Sequence, residues 1–182
     1  MFNAEVNAAR ESFFSKQIQQ FIPYEDMGPV SKEMDVYDKI DRIFYRKDID
    51  KEVRVQLKIR GSDYKKYEDA AFRYYRDPKK NEWDNTQADE YLKIIIASPK
   101  AEDWTDNPEI IKIARFNIKK VKESGYGVYG YTYYRNPCKT SGIVLDGDRL
   151  WVNVVKGNPG MLTIPMKINQ YIPGAYEILY EK

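Results

Sequence analysis

Between Asn3 and Ile22 the apolar residues Val6, Ala9, Phe13, Phe14, Ile18, Phe21 and Ile22 recur at steps of three and four. That spacing puts them on one face of a helix, and Pro23 ends it. The following stretch, YEDMGPVSKEMDVYD, combines Gly28-Pro29 with scattered charge and reads as a loop or a short irregular strand. Ile40 to Arg46 and Glu52 to Arg60 are both β-prone, and the polar segment from Lys47 to Lys51 supplies a turn, so the two form a hairpin. In its second strand Val53, Val55, Leu57 and Ile59 alternate with Arg54, Gln56, Lys58 and Arg60. One face is therefore apolar and the other a polar row.

Residues 61–90 follow neither period and are expected to form an irregular excursion. YLKIIIA, from Tyr91 to Ala97, is a short β-branched run that fits a buried strand. Asn107-Pro108-Glu109 has the composition of a helix start, with Asn as N-cap and Pro at the first helical position. Ile110, Ile113, Ala114, Ile118 and Val121 would give that helix its apolar stripe, and Gly125 its C-terminal cap. Lys112, Arg115, Lys119, Lys120 and Lys122 would be its wet face. The last third, with GYGVYGYTYYR, GIVLDGDRLWVNVVKG and GMLTIPMKI between Asp-Gly and Gly-Asn-Pro-Gly turns, reads as a small antiparallel sheet. Its tyrosines, Tyr126 to Tyr134, suit a packing surface, and Trp151 suits the core.

A chain of 182 residues has the size of one domain, here an α/β core over residues 1–125 with a β-rich extension over 126–182. The 30 basic and 28 acidic residues leave a net charge of +2, so a nucleic-acid surface would have to be a local patch. There is no histidine, which removes His-dependent hydrolase triads and His-ligated zinc chemistry. One cysteine, Cys138, excludes an intramolecular disulfide and a cysteine-rich zinc site. Carboxylate and amide oxygens remain, and they select hard cations such as Mg²⁺ or Mn²⁺. No apolar run reaches the roughly 20 residues of a membrane helix. The segment MFNAEVNAARESFF lacks a signal-peptide core, so no membrane association and a cytoplasmic location are expected.

The polar row carries the candidate chemistry. Alternate residues of a strand share a face, so Gln56 and Lys58 point the same way. Asp41 opens the preceding strand, fifteen positions before Gln56, and a hairpin can bring its carboxylate across to them. A carboxylate and an amide oxygen can hold Mg²⁺, while an ammonium orients water or balances charge. In these residues, IDRIFYR followed by VRVQLKIR, the chain resembles the PD-(D/E)XK nuclease superfamily, whose signature is an acid on one strand and Asp/Glu/Gln-x-Lys on the next. The order of helix, acid strand, Gln-x-Lys strand, further strand and helix extends the resemblance over roughly residues 1–125.

The resemblance implies a restriction-endonuclease-like fold, a mixed β-sheet flanked by helices, with the antiparallel β-rich extension at its C-terminus. It implies Asp41 as principal metal ligand, Gln56 as the second, the Leu57 carbonyl as a third, Lys58 as catalytic lysine and Glu11 as the first-helix acid. Asp38, three residues before Asp41, is an additional candidate ligand. Gln in place of Glu removes one negative charge from the site, and no clear first strand stands between Pro23 and Asp41. Arg60, Ser62, Lys65, Lys66 and Arg73, with Arg76, lie among Tyr64, Tyr67, Tyr74 and Tyr75, a mixture suited to phosphate contact and base stacking.

The expected activity is Mg²⁺-dependent endonucleolytic cleavage, of DNA ahead of RNA, with a homodimer as the assembly many members of the superfamily use. The alternative is a non-catalytic module with a decayed nuclease site, binding nucleic acid or protein as a phage or defence-related factor. A structural protein using its tyrosine-rich region would instead show a large exposed aromatic patch and no basic groove.

Overall fold

The computed structural model describes residues 4–132 and 136–182. The N-terminal apolar stripe forms helix α1 (Ala4–Gln17), continued by a 3₁₀ turn over Ile18–Gln20, and Pro23 stops it as expected. Phe14, Ile18 and Ile22 are the buried members of the stripe, whereas Val6 stays exposed. The segment expected as a loop or irregular strand contains both strand β1 (Tyr24–Pro29) and a short helix α2 (Lys32–Val36). Strand β1 is irregular, with its pairing interrupted between Asp26 and Pro29 around Gly28 at φ 105°. It supplies the first strand that had no clear sequence signal, because its alternation is broken at that glycine.

Strands β2 (Arg42–Arg46) and β3 (Lys51–Arg60) make the expected hairpin, in register from Arg42↔Val55 to Arg46↔Lys51. The next stretch, expected to be irregular, contains strand β4 (Asp69–Tyr74) and helix α3 (Glu82–Asn85). Before it, Gly61 passes so close to the chain at Pro99 that a Cβ there would lie 1.9 Å from the Pro99 carbonyl oxygen. Strand β5 (Glu90–Ile96) is buried at all seven positions.

The helix expected after Asn107 is instead strand β6 (Ile110–Phe116), followed by a one-turn helix α4 (Ile118–Lys122). Asn107 takes a left-handed conformation at the end of a 3₁₀ turn, and Asn117 is the residue whose side chain caps a helix, accepting from Lys120 N–H. Ile110, Ile113 and Ala114 mimic helical spacing because both faces of β6 are buried. Lys112 and Arg115, assigned to a solvated helix face, are interior: Lys112 pairs with Glu68 and Glu181, and Arg115 pairs with Glu177. The chain closes with β7 (Gly127–Tyr131), β8 (Ile143–Asp146), β9 (Arg149–Val155), β10 (Gly160–Pro165) and β11 (Tyr176–Glu181).

The protein is thus mixed α/β, with two sheets and few helices. The first sheet has the order β1-β2-β3-β5-β6-β11, antiparallel except where β3 runs parallel to β5. The second has the order β4-β10-β9-β7, with β8 also against β9. It is mixed and not purely antiparallel, because β7 runs parallel to β9. The C-terminal extension interlocks with the core, since β11 completes the first sheet and β4 enters the second.

Two apolar cores result. Phe14, Ile18 and Ile22 cover Val53, Val55, Leu57 and Ile59 on one face of the first sheet. Phe72, Leu150, Val152, Leu162 and Ile164 of the second sheet pack with Tyr91, Ala114 and Phe116 of the first. The polar row of β3 therefore faces the second sheet, and Gln56 is buried with 2% of its surface exposed. Among the described residues no helix is long and apolar enough to cross a membrane.

Candidate functional site

The hairpin delivers Asp41, Gln56 and Lys58 to one place. Lys39, at φ 55°, turns the chain out of α2, and the buried Ile40 anchors it before Asp41 enters the strand. Asp41 N–H donates to the Val55 carbonyl at 2.9 Å, extending the β2–β3 register by one residue. One carboxylate oxygen of Asp41 in turn accepts from Leu57 N–H at 2.5 Å, which fixes the side chain across β3. Gln56 stands beside it. Its Oε1 is buried and has no hydrogen-bond partner, an arrangement that costs about 1–3 kcal/mol in the absence of a ligand. Lys58, two residues on, holds Nζ 3.8 Å from Oε1 of Glu82.

These groups line a cavity of about 650 Å³, closed by α1 and α2 on one side and by the second sheet on the other. Glu11 of α1 lines it as well. Burial first and the neighbouring Asp41 second push the Glu11 carboxyl up to about 8, against the opposing pull of Lys58. Asp41 is raised to about 6, again chiefly by burial, with Lys58 and the Leu57 N–H pulling the other way. Two carboxyls held above their ordinary range in one cavity retain protons readily, and a cation that displaced those protons would be bound by oxygen. Among the described residues no three His, Cys, Asp or Glu side chains cluster as a metal cage. A donor set here would combine Asp41 and Glu11 with the Gln56 amide, all hard oxygen donors.

The remaining candidates divide. The main chain of Leu57 presents its N–H to Asp41, and its side chain lies in the α1 core. Asp38 does not line the cavity. It lies near Arg54, whose pKa it helps raise, and its carbonyl accepts from Gln87 N–H. Asp35, one turn earlier on α2, lines the cavity in its stead, because α2 presents residues three apart on one side before the chain reverses. Arg60 and Arg73 line the cavity, and Arg73 Nε lies 3.7 Å from Glu82 Oε1.

Ser62, Lys65 and Lys66 do not line it. Ser62 begins a 3₁₀ turn, Lys65 donates to the Lys182 carbonyl, and Lys66 lies over the ring of Tyr67. Trp151, assigned to the core, is half-buried on the outer face of the second sheet, 5.3 Å from the ring of Tyr129 and 6.0 Å from that of Tyr131. Tyr126 packs against Tyr171. Tyr133 and Tyr134, in the same tyrosine run, lie outside the described residues.

Two cavity residues had no sequence signal. Glu82 reaches the site from α3, where Oε2 accepts from Arg73 N–H at 2.7 Å, so a buried acid links the second sheet to Lys58. Arg10 precedes Glu11 on α1 and shares its cavity. Each comes from a helix whose docking, and not whose spacing, sets its position. No family model, no curated protein and no solved structure matches the chain.

Proposed function

We propose that the protein is a divalent-metal-dependent phosphodiesterase that cleaves nucleic acid, DNA ahead of RNA, on a restriction-endonuclease-like core. What carries this reading is the buried, unpartnered Gln56 Oε1 in the cavity that Asp41 also lines. A buried acceptor without a donor is rare in a native interior, and a hard cation is a group that satisfies an amide oxygen and a carboxylate together. Asp41, Gln56 and Glu11 would hold it. Mg²⁺ or Mn²⁺, when bound there, supplies Lewis acidity at a phosphoryl oxygen and a lowered pKa for water.

The protein's own groups do the rest. Leu57 N–H orients the Asp41 carboxylate. Lys58 presents a positive charge to the oxygen that gains negative charge as the phosphate is attacked. Glu82, on the far side of Lys58, holds the ammonium between itself and the acid pair. The walls formed by α1, α2 and the second sheet bury Gln56 and desolvate Asp41, which strengthens the interactions made by these groups.

The test is incubation with supercoiled, linear and branched DNA and with RNA, in Mg²⁺, Mn²⁺ or EDTA. Cleavage that requires the cation is expected, and Asp41→Ala and Lys58→Ala should each lower it by about 10²-fold or more with an unchanged circular-dichroism spectrum. Metal-dependent cleavage retained by both variants would refute the assignment. Binding without cleavage in either cation would identify a non-catalytic module.

A further inference from the structure

The described residues contain two buried side-chain polar atoms without a partner, and both belong to the same cavity: the acceptor Gln56 Oε1 and the donor Arg10 Nε. The donor has no role in the chemistry proposed above. Arg10 uses Nη2 to reach Asn7 Oδ1 at 2.6 Å, which holds the guanidinium against α1 and leaves its Nε edge unused. Arg60, at the end of β3, also lines the cavity. Its guanidinium rests over the ring of Tyr64, 5.7 Å from the centroid, with one weak contact at 3.4 Å to the Ile59 carbonyl. Among the described residues neither arginine has a carboxylate within ion-pair distance. Burial lowers the pKa of Arg10, and the charge of Arg60 lowers it further, although Glu102 and Glu11 pull in the opposite direction.

Two guanidiniums lining one cavity, neither held in an ion pair among the described residues and one with a buried unused donor, form an incomplete anion site. A guanidinium offers paired, planar donors that match the oxygens of a phosphate, and a tetrahedral anion can be shared by two such forks. A carboxylate ligand is disfavoured by the acids already in the cavity, Glu11, Asp35, Asp41 and Glu82. A phosphate on a nucleic-acid strand is compatible with them because a cation at Asp41 and Gln56 offsets their charge. We propose that Arg10 and Arg60 form a clamp for a backbone phosphate of the nucleic-acid strand, next to the phosphate hydrolysed at Asp41 and Lys58. The inference rests on the phosphodiesterase reading for the identity of the strand. A cavity of about 650 Å³ has room for one or two nucleotides beside the reacting group.

The experiment measures binding without turnover. A fluorescein-labelled single-stranded oligonucleotide is titrated by anisotropy with Ca²⁺ in place of Mg²⁺, so that a hard cation still offsets the cavity acids, at several salt concentrations, against the wild type, Arg10→Ala, Arg60→Ala, Arg10→Lys and, as a control at an exposed pair with Glu25, Lys47→Ala. Each alanine variant at the clamp is expected to bind about tenfold or more weakly and to reduce the salt slope by about 0.7, the value of one lost phosphate contact on a single strand. Arg10→Lys keeps the charge without the fork and should recover only part of the loss. Lys47→Ala should bind as the wild type does.

Oligonucleotides with and without a 5′-phosphate, and inorganic phosphate as competitor, separate an internal phosphodiester from a terminal or free phosphate. Equal dependence on Arg10 with and without the terminal group is expected, and dependence confined to the phosphorylated end or to inorganic phosphate would overturn the assignment to a backbone phosphate. Wild-type affinity and salt slope in both alanine variants would overturn the clamp. If Arg10→Ala fails to fold, Arg10→Lys and Arg60→Ala decide the matter by the same readouts. Loss of Arg10-dependent binding leaves a metal-dependent cleavage reading standing, and absence of cleavage with this binding intact removes the hydrolase reading alone.

Discussion

Replacing Glu11 with Gln removes a carboxyl that folding forces upward from its ordinary 4.5 to about 8. A carboxyl with a raised folded pKa contributes stability that is fully present below its unfolded value and is lost as pH climbs through the folded one. For Glu11 the loss therefore runs from about pH 4.5 to pH 8, and for Asp41 from about pH 4 to pH 6. At about 1.4 kcal/mol per pKa unit, the Glu11 shift has a ceiling of about 5 kcal/mol. The side chain is only half-buried and shares its proton affinity with Asp41, so solvent screening and coupling reduce this to about 2 kcal/mol.

In a chain of this length that corresponds to about 4–8 °C in Tm. Circular-dichroism melts of the wild type and Glu11→Gln at pH 4.5 and pH 8.5 should show little difference at the lower pH. The variant should be more stable by that amount at the higher. Mg²⁺ at pH 8.5 should close the gap by stabilising the wild type more, because the cation takes the place of the protons. A Tm difference that is the same at both pH values, or a Mg²⁺ effect that is the same in both proteins, would refute this account of the cavity.

Gln56→Glu adds a third carboxylate beside Asp41 and Glu11. It should cost several kcal/mol of stability without a divalent cation, measured by urea unfolding in EDTA. It should also tighten Mg²⁺ binding about tenfold by calorimetry. Glu90 is buried between Arg46, Arg115 and the Tyr24 hydroxyl. Glu90→Ala would take the innermost carboxylate from Arg46, Arg115 and the Tyr24 hydroxyl, leaving Asp48 and Glu177 as the arginines' remaining partners, and should destabilise the protein by about 3 kcal/mol in urea. A loss below about 1 kcal/mol would show that water reaches that network.

The elements readable from the sequence are those whose partners are close in the chain. The β2–β3 hairpin is set by strict alternation on either side of a polar turn, and helix α1 by its three-and-four spacing and Pro23. The hairpin was enough to bring Asp41, Gln56 and Lys58 together, whereas Glu11 meets them only through the docking of α1. Strand β6 was misread because an interior strand has no polar face, so Ile110, Ile113 and Ala114 satisfy either period and nothing local separates the two. Strand β4 was invisible because its pairing partner is β10, far along the chain, and its buried side chains pack on distant residues such as Tyr91 and Phe116.

The candidate chemistry divides along the same line. Residue type and alternation along β3 determined which side chains share a face, since the pleat has a fixed period of two. Whether that face is wet or buried is a property of what lies over it, and here it is a sheet whose first strand comes from residues 69–74 and whose others come from the last third of the chain. That covering takes Gln56 out of water, raises Asp41 and Glu11, and carries Glu82 to Lys58. The docking of α1 places Arg10 near Arg60. Desolvation depends on every atom packed around a group, so these properties exist only once the distant segments have met.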